Sequence, residues 1–389
     1  MSVFPHVGKL VPIIMVLLIG RGLWAEQIEA NDIESSKVPG VVIDYCPADS
    51  RCWIGSPSLA VLPNGNFVAS HDFFGPTANH KKSPTTVVFS SKNQGKTWRK
   101  VAEIKSLFWG GLFVYEGGLY IIGTRHEYGD VLIRRSQDGG RTWSEPTGSE
   151  TGVLRQGRYH CAPCPVVIHK GRLWRSFEEC GVEKTRDFQA FVMSAPVEAD
   201  LLKAENWTFS ESLPPEKNFT WLEGNLVVDP QGELVNILRT NDGGDDKAAI
   251  IKVDDAGRKL TYDARNDFID MPGGGAKFTI RYDKKTARYW AIVNRQTDPK
   301  AYRNNLVLIS SADLRNWKVE TPLLYHPDAI KHGWQYIDWQ FEGDDIIFVS
   351  RTAFDDGVGG AHRAHDANYL TFHRIADFRT REAGLLEGG

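Results

Sequence analysis

Three histidines stand where apolar runs meet loops: His71 in SHDFFG, His126 in GTRHEYG and His160 in GRYHCAP. Imidazole titrates near neutral pH, so such residues suit proton transfer. Arg125 adjoins His126, Tyr159 adjoins His160, and His80 lies between the first two histidines. A His/Tyr base with an arginine is what a uronate lyase needs. The cation neutralises the sugar carboxylate, the neighbouring C–H becomes acidic, and the base removes its proton. Glu178 and Glu179 could form an acid pair, but neighbours on a strand face opposite sides, so at most one can point at a site. Each of these residues also has a plain reading, as a surface or capping group, until geometry places it. His362, His365, His373 and Asp366 have no compact ligand spacing, so neither a metal nor another cofactor is predicted.

The elements that must position these groups repeat along the chain. SKNQGKTW ends at Trp98 and SQDGGRTW ends at Trp143, both after strand-like runs (TTVVFSS and DVLIRRS). A period in the forties of strand-rich sequence points to propeller blades. In each copy an Asn or Asp accepts turn hydrogen bonds, a Gly takes a conformation closed to other residues, and the Trp plugs a gap between sheets. A third, shorter copy is SADLRNW, ending at Trp317. Six hairpins of apolar strand, turn and apolar strand begin near residues 58, 112, 165, 225, 278 and 338. They predict an all-β, six-bladed β-propeller in one domain from about residue 38 to 380. A seventh blade in a divergent segment is the alternative. The stretch VVIDY at residues 41–45 would close the ring on the last blade, and segments 240–247 and 355–365 read as loops.

Composition sets the remaining bounds. The chain has 389 residues, a formal net charge of −3, and 12 Trp, 12 Tyr and 19 Phe. It carries no electrostatic footprint for nucleic acid, and its aromatic content suits both a packed β core and a sugar-binding surface. Lys9, the apolar run VPIIMVLLIG and the small residue Ala25 read as a secretory signal over residues 1–25. The run is short for a membrane span, which needs about 20 apolar residues. A secreted or periplasmic, monomeric protein with no membrane association after cleavage is expected. Cys46 and Cys52 could pair; Cys161, Cys164 and Cys180 leave one over and read as core thiols or one local disulfide.

The Ser-x-Asp-x-Gly-x-Thr-Trp box resembles the Asp-box, or BNR repeat, of sialidase-like propellers. The resemblance runs loosely from about residue 53 to 351. HCAPCPVVIHKGRLWR, WLEGN and HDANYLTFHR are similar to runs in a group of exported bacterial sialidase-like proteins. The resemblance implies a site in which three arginines hold a substrate carboxylate, a Tyr attacks with help from a Glu, and an Asp serves as acid and base. A neutral phenol suits an anionic substrate, which would repel a carboxylate nucleophile. Glu223 in WLEGNLVV resembles the Glu, Arg239 in VNILRTND the second arginine, Arg303 in AYRNN the third, and Tyr336 in GWQYIDW the nucleophile. Two positions depart. Gly55 in IGSP holds the place of the first arginine, for which Arg51 could substitute from nearby. Asp72 fits the family's acid poorly. Without any family pattern, Glu223 and Arg239 also read as a structural ion pair, and Trp109 as a sugar-stacking platform or an inter-blade plug.

Three functions follow. The first is an exported exo-glycosidase acting on a terminal acidic sugar of a glycan, with Tyr336 and Glu223 as the nucleophile pair, Arg239 and Arg303 on the carboxylate, and His71 or Asp72 as acid. The second is a polysaccharide lyase on a uronate-containing glycan. The third is a propeller that binds glycans without turnover.

Overall fold

The computed structural model describes residue 1 and residues 38–182, 187–216, 220–240, 246–296, 298 and 303–380. Met1 apart, the leader expected at residues 1–25 lies outside the described residues.

Six antiparallel sheets form the fold, and each of the six expected hairpins supplies the first two strands of one. Blade 1 starts with Trp53–Ile54 and Ser58–Val61 against Phe67–Phe74. Blade 2 starts with Phe108–Tyr115 and Gly118–Thr124, and blade 3 with Tyr159–His160 and Val167–His169 against Arg172–Glu179. Blades 4, 5 and 6 start with Trp221–Val228 and Leu234–Thr240, Thr279–Asp283 and Arg288–Asn294, and Gly333–Glu342 and Asp345–Ala353. There is no seventh sheet among the described residues. The only helices there are the short turns Ala48–Ser50 and Ala204–Asn206.

Successive side chains on a strand face opposite sides of its sheet. In this ring both sides are covered, because each blade lies between two others. Ile237, Ala248 and Ile250 of blade 4 pack towards blade 5, whereas Leu238, Ala249 and Ile251 pack towards blade 3. Six apolar clusters result, one per seam between neighbouring blades. This is why the strands read as continuous apolar runs instead of an alternating pattern.

The Ser/Asx turns seal three of those seams. Ser136 Oγ accepts from Gly140 N–H at 2.9 Å, and Asp138 Oδ1 accepts from the N–H groups of Arg141 and Thr142, each at 3.0 Å. Trp143 then donates Nε1–H to Gly140 O at 2.9 Å and packs over the seam between blades 1 and 2. Trp98 covers the seam between blades 6 and 1, and Trp317 that between blades 4 and 5. The shorter third copy omits one of two consecutive left-handed residues. Gly139 and Gly140 have φ of 76° and 93°, whereas only Leu314 (65°) has positive φ in the third turn.

Val41–Tyr45 pairs with Tyr369–Ile375 and closes the ring as the outer strand of blade 6. A bulge at Asp44 aims its carboxylate at blade 1, where Oδ2 lies 2.8 Å from His71 Nε2. Burial opposes a charged imidazole there, but Asp44 and the Asp72 carbonyl outweigh it and raise the His71 pKa. His71 thereby latches the closing strand to blade 1. All five cysteines are free thiols, so the bridge considered between Cys46 and Cys52 is not formed.

Candidate active site

A cavity of about 280 Å³ opens where the first strands of the blades converge. Strand side chains normally point into the seams, so a group that faces this cavity must break the alternation. Three inner strands do so in the same way. Trp109, Glu223 and Tyr336 have φ of 54°, 58° and 55°. Each sits at a register shift: between Phe108 and Gly111, between Leu222 and Asn225, and between Gln335 and Asp338. A bulge of this kind re-aims one side chain. A non-glycine residue held left-handed costs about 1–3 kcal/mol and persists where the surroundings fix it. All three side chains line the cavity. Trp109 also packs against the seam between blades 2 and 3, as an inter-blade plug would.

The residue paired with the position before each bulge decides what stands beside it. In blade 4 that residue is Arg239, opposite Leu222; in blade 6 it is Arg351, opposite Gln335; in blade 2 it is Thr124, opposite Phe108. Arg239 Nε therefore lies 3.2 Å from Glu223 Oε2. The Arg351 guanidinium lies 4.7 Å from the centroid of the Tyr336 ring and 4.3 Å from that of Phe74, and its Nε–H donates to His365 O at 3.1 Å. Burial lowers the Arg351 pKa to about 10, so it stays a cation at neutral pH. Arg303 reaches the same tyrosine from blade 5, 6.0 Å from its ring, and donates to Gln335 Oε1. Tyr336 is thus flanked by two guanidinium groups, and the ion pair Glu223–Arg239 lines the same cavity.

Blade 1 shows why Gly55 replaces an arginine. A Cβ on Gly55 would overlap the Asp72 carboxylate. Asp72 is fully buried and accepts from Ser56 N–H at 2.8 Å and from Trp109 N–H at 2.6 Å. Burial raises its pKa above the usual carboxylate value, against the pull of those two donors. The space of the expected first arginine thus belongs to a carboxyl group biased towards its protonated form. The third cation, Arg351, enters from the second strand of blade 6.

Blade 3 contributes His160. Its Nδ1 lies 2.7 Å from Glu178 Oε2, and Glu178 Oε1 accepts from Gly224 N–H at 3.2 Å. Trp109 meets the imidazole edge-on at 4.4 Å, and Phe188 stacks on it at 4.7 Å. Glu179, one residue on, points away, to Arg155 and Ser212.

Of the residues expected at the site, Tyr336, Glu223, Asp72, His160, Arg239, Arg303 and Trp109 line this cavity. Four others do not, and two of them, His71 and Tyr159, stand one strand position from a residue that does, which turns a side chain to the other face. His71 precedes Asp72 and points into the seam, packed against Phe73 and Phe89. Arg125 follows Thr124, the counterpart of Arg239, and pairs with Asp130 at 3.0 Å. His126 turns back onto Glu127 O at 3.0 Å, leaving Glu127 and Tyr128 to face the cavity. Tyr159 packs on Phe191 in the seam between blades 2 and 3, where its hydroxyl donates to Gln156 O at 3.1 Å. Arg51, considered as a substitute arginine, is exposed at the end of a short turn outside the cavity.

Arg351, Phe74, Tyr128, Phe188 and His365 were not singled out for the site from sequence. Arg351 had a signal: VNILRT and FVSRTA both end the second strand of a hairpin in Arg-Thr. The cavity's aromatic groups come partly from loops without periodicity. Among the described residues no cluster of three or more His, Cys, Asp or Glu could hold a metal ion.

No family model matches the chain, and no curated protein matches it in sequence. Its fold matches solved structures. A Penicillium chrysogenum α-L-arabinanase complexed with arabinobiose is 14% identical, with a TM-score of 0.55 over 89% of this chain and 99% of that one. A Hadza microbial sialidase is 15% identical, with a TM-score of 0.60 over 85% of this chain and 67% of that one. The NanB sialidase of Streptococcus pneumoniae is 11% identical, with a TM-score of 0.58 over 87% and 70%. The chain shares a six-bladed propeller fold with these structures, and at these identities the likeness concerns the fold alone.

Proposed function

We propose that the chain is an exported glycoside hydrolase that removes a terminal acidic sugar from a glycan. The observation that carries this reading is Tyr336, flanked by Arg303 and Arg351 in one cavity with Glu223, Arg239 and Asp72. Arg303 and Arg351, with Arg239 beside them, would hold the sugar carboxylate. Tyr336 Oη would attack the anomeric carbon as Glu223 takes the phenol proton, while Asp72 protonates the leaving oxygen. Water would then release the sugar from the tyrosyl bond, with Asp72 taking the water's proton and Tyr336 recovering its own from Glu223.

The neutral arabinobiose of one structural neighbour gives no use to three guanidinium groups, whereas an acidic sugar does. Elimination is the weaker reading, because of the residues read as its bases only His160 lines the cavity, on the blade 3 wall, while His71, His126 and Tyr159 lie outside it.

Purified protein incubated with sialosides and uronate-bearing oligosaccharides tests this, reading reducing ends and near-ultraviolet absorbance together. Reducing ends without absorbance are expected from an acidic-sugar glycoside. Arg351→Met should raise KM for it by about 10- to 150-fold, the loss of a charge-assisted contact of about 1.5–3 kcal/mol. Rising absorbance would identify a lyase. No release from any acidic glycoside on the panel would sink the proposal.

A further inference from the structure

Beside the active-site cavity lies a second hollow of about 550 Å³ that shares Phe74, His80, Glu127 and His365 with it. The two are therefore compartments of one groove. Their junction is set by a strand: Asp72 and Phe74 are two residues apart in Phe67–Phe74 and so lie on one face. Asp72 marks where the leaving oxygen would sit, and Phe74 begins the hollow on that side.

Its charges are sorted by depth. Lys81 and Lys82 stand on the exposed rim, and the side chain of Arg363 is 60% exposed, while the carboxylates of Glu127 and Asp366 are 18% and 1% exposed. Asp366 is occupied by His362, His365 and Arg363, each within 2.8 Å. A solute entering the hollow therefore meets cations first. One wall is aromatic, with Trp53 edge-on to Phe74 at 5.4 Å and backed by the stacked His362 ring at 5.0 Å. The Trp53 indole N–H has no partner. An aromatic wall and a cationic rim suit a sugar ring that carries an anionic substituent.

We propose that this hollow is a leaving-group subsite for an anionic sugar, sulfated or carboxylated, so that the enzyme acts on glycans charged on both sides of the cleaved bond. The inference rests on the hydrolase reading for the word "leaving"; the binding site itself does not.

Equilibrium binding separates the two. N-acetylglucosamine, its 6-sulfate and glucuronic acid are titrated by NMR into the wild type and the Lys81→Gln/Lys82→Gln double variant. Neither lysine lines the catalytic cavity, so a substrate with a neutral leaving group should keep its kcat/KM in that variant. The 6-sulfate, the glucuronate or both should bind the wild type at least about 5-fold more tightly than the neutral sugar at low salt. That preference should fall at least about 5-fold in the variant, to what the arginines of the catalytic cavity retain, and should weaken at 0.5 M salt, where the screening length is a few Å. Which acid binds tells whether the site takes sulfate or carboxylate. Equal binding of all three, or a preference that the double variant leaves undiminished, would overturn the subsite. If the wild type shows the preference yet cleaves nothing, the hydrolase reading fails and the anion site stands.

Discussion

Glu223→Gln should lower kcat by about 10²–10⁴-fold on an acidic-sugar glycoside while KM changes little, because proton removal from the nucleophile contributes that much in rate. Tyr336→Phe should do as much or more, since it deletes the attacking oxygen. The double variant should be no worse than the poorer single one, because two groups that act as a unit are not additive. The Glu223→Gln substitution keeps the volume of the side chain but takes away the charge that Arg239 faces. A thermal melt therefore accompanies the kinetics. The fold should survive, since six seam clusters hold the ring and the pair lies at one end of it. Activity within tenfold of wild type in a folded Glu223→Gln protein would remove Glu223 from the chemistry and leave the pair with Arg239 as structure.

Asp72→Asn should show the second large effect, and its size should depend on the leaving group. Without an acid, a sugar alkoxide leaves poorly, so natural glycosides should lose about 10²–10⁴ in rate. A nitrophenyl glycoside of the same sugar, whose leaving group needs no proton, should lose far less in its first step. The pH profile gives the sign. Burial raises the Asp72 pKa, so the carboxyl holds its proton further towards neutrality than an exposed one and loses it as pH climbs through that raised value. Wild-type activity should fall on this alkaline limb, and the limb should be absent in the variant. An equal loss on both substrates, with the limb unchanged, would assign the acid role elsewhere. The substitution also costs stability, because the amide NH₂ of Asn would face one of two backbone donors, those of Ser56 and Trp109. A donor left unpaired costs about 1–3 kcal/mol.

These two residues illustrate what was legible in the chain. The hairpins were, because a strand buried on both faces writes an unbroken apolar run, and the blades repeat it. The Ser/Asx turns were, because their polar side chains do backbone work that few other residues can do. Within the site, Glu223, Arg239, Arg303 and Tyr336 were found by resemblance, and the structure places all four in one cavity. Of the three histidines only His160 lines the cavity, for a physical reason. Closeness to a strand end does not fix which face a side chain takes, and one position separates His71 from Asp72 in a single strand. Nothing in composition announces a bulge, yet the left-handed backbone at Trp109, Glu223 and Tyr336 is what turns these side chains to the axis. The exchange of Gly55 for an arginine read as a gap in the clamp. In the proposed site Arg351 would take that part, and its place follows from the register of blade 6. Only the pairing of Gln335 with Arg351, set beside that of Leu222 with Arg239, makes the equivalence visible.

The central claim is that Tyr336 is the nucleophile on an acidic sugar. The most direct measurement is mass spectrometry of the protein after incubation with a glycosyl fluoride of the cleaved sugar that bears a second fluorine beside the anomeric carbon. That substituent slows both steps, while the fluoride leaving group speeds formation of the intermediate. One sugar per chain is expected, on the peptide that holds Tyr336, and the adduct should be absent in Tyr336→Phe. An adduct on the Glu223 peptide, or full turnover with no covalent species at any time, would contradict the account.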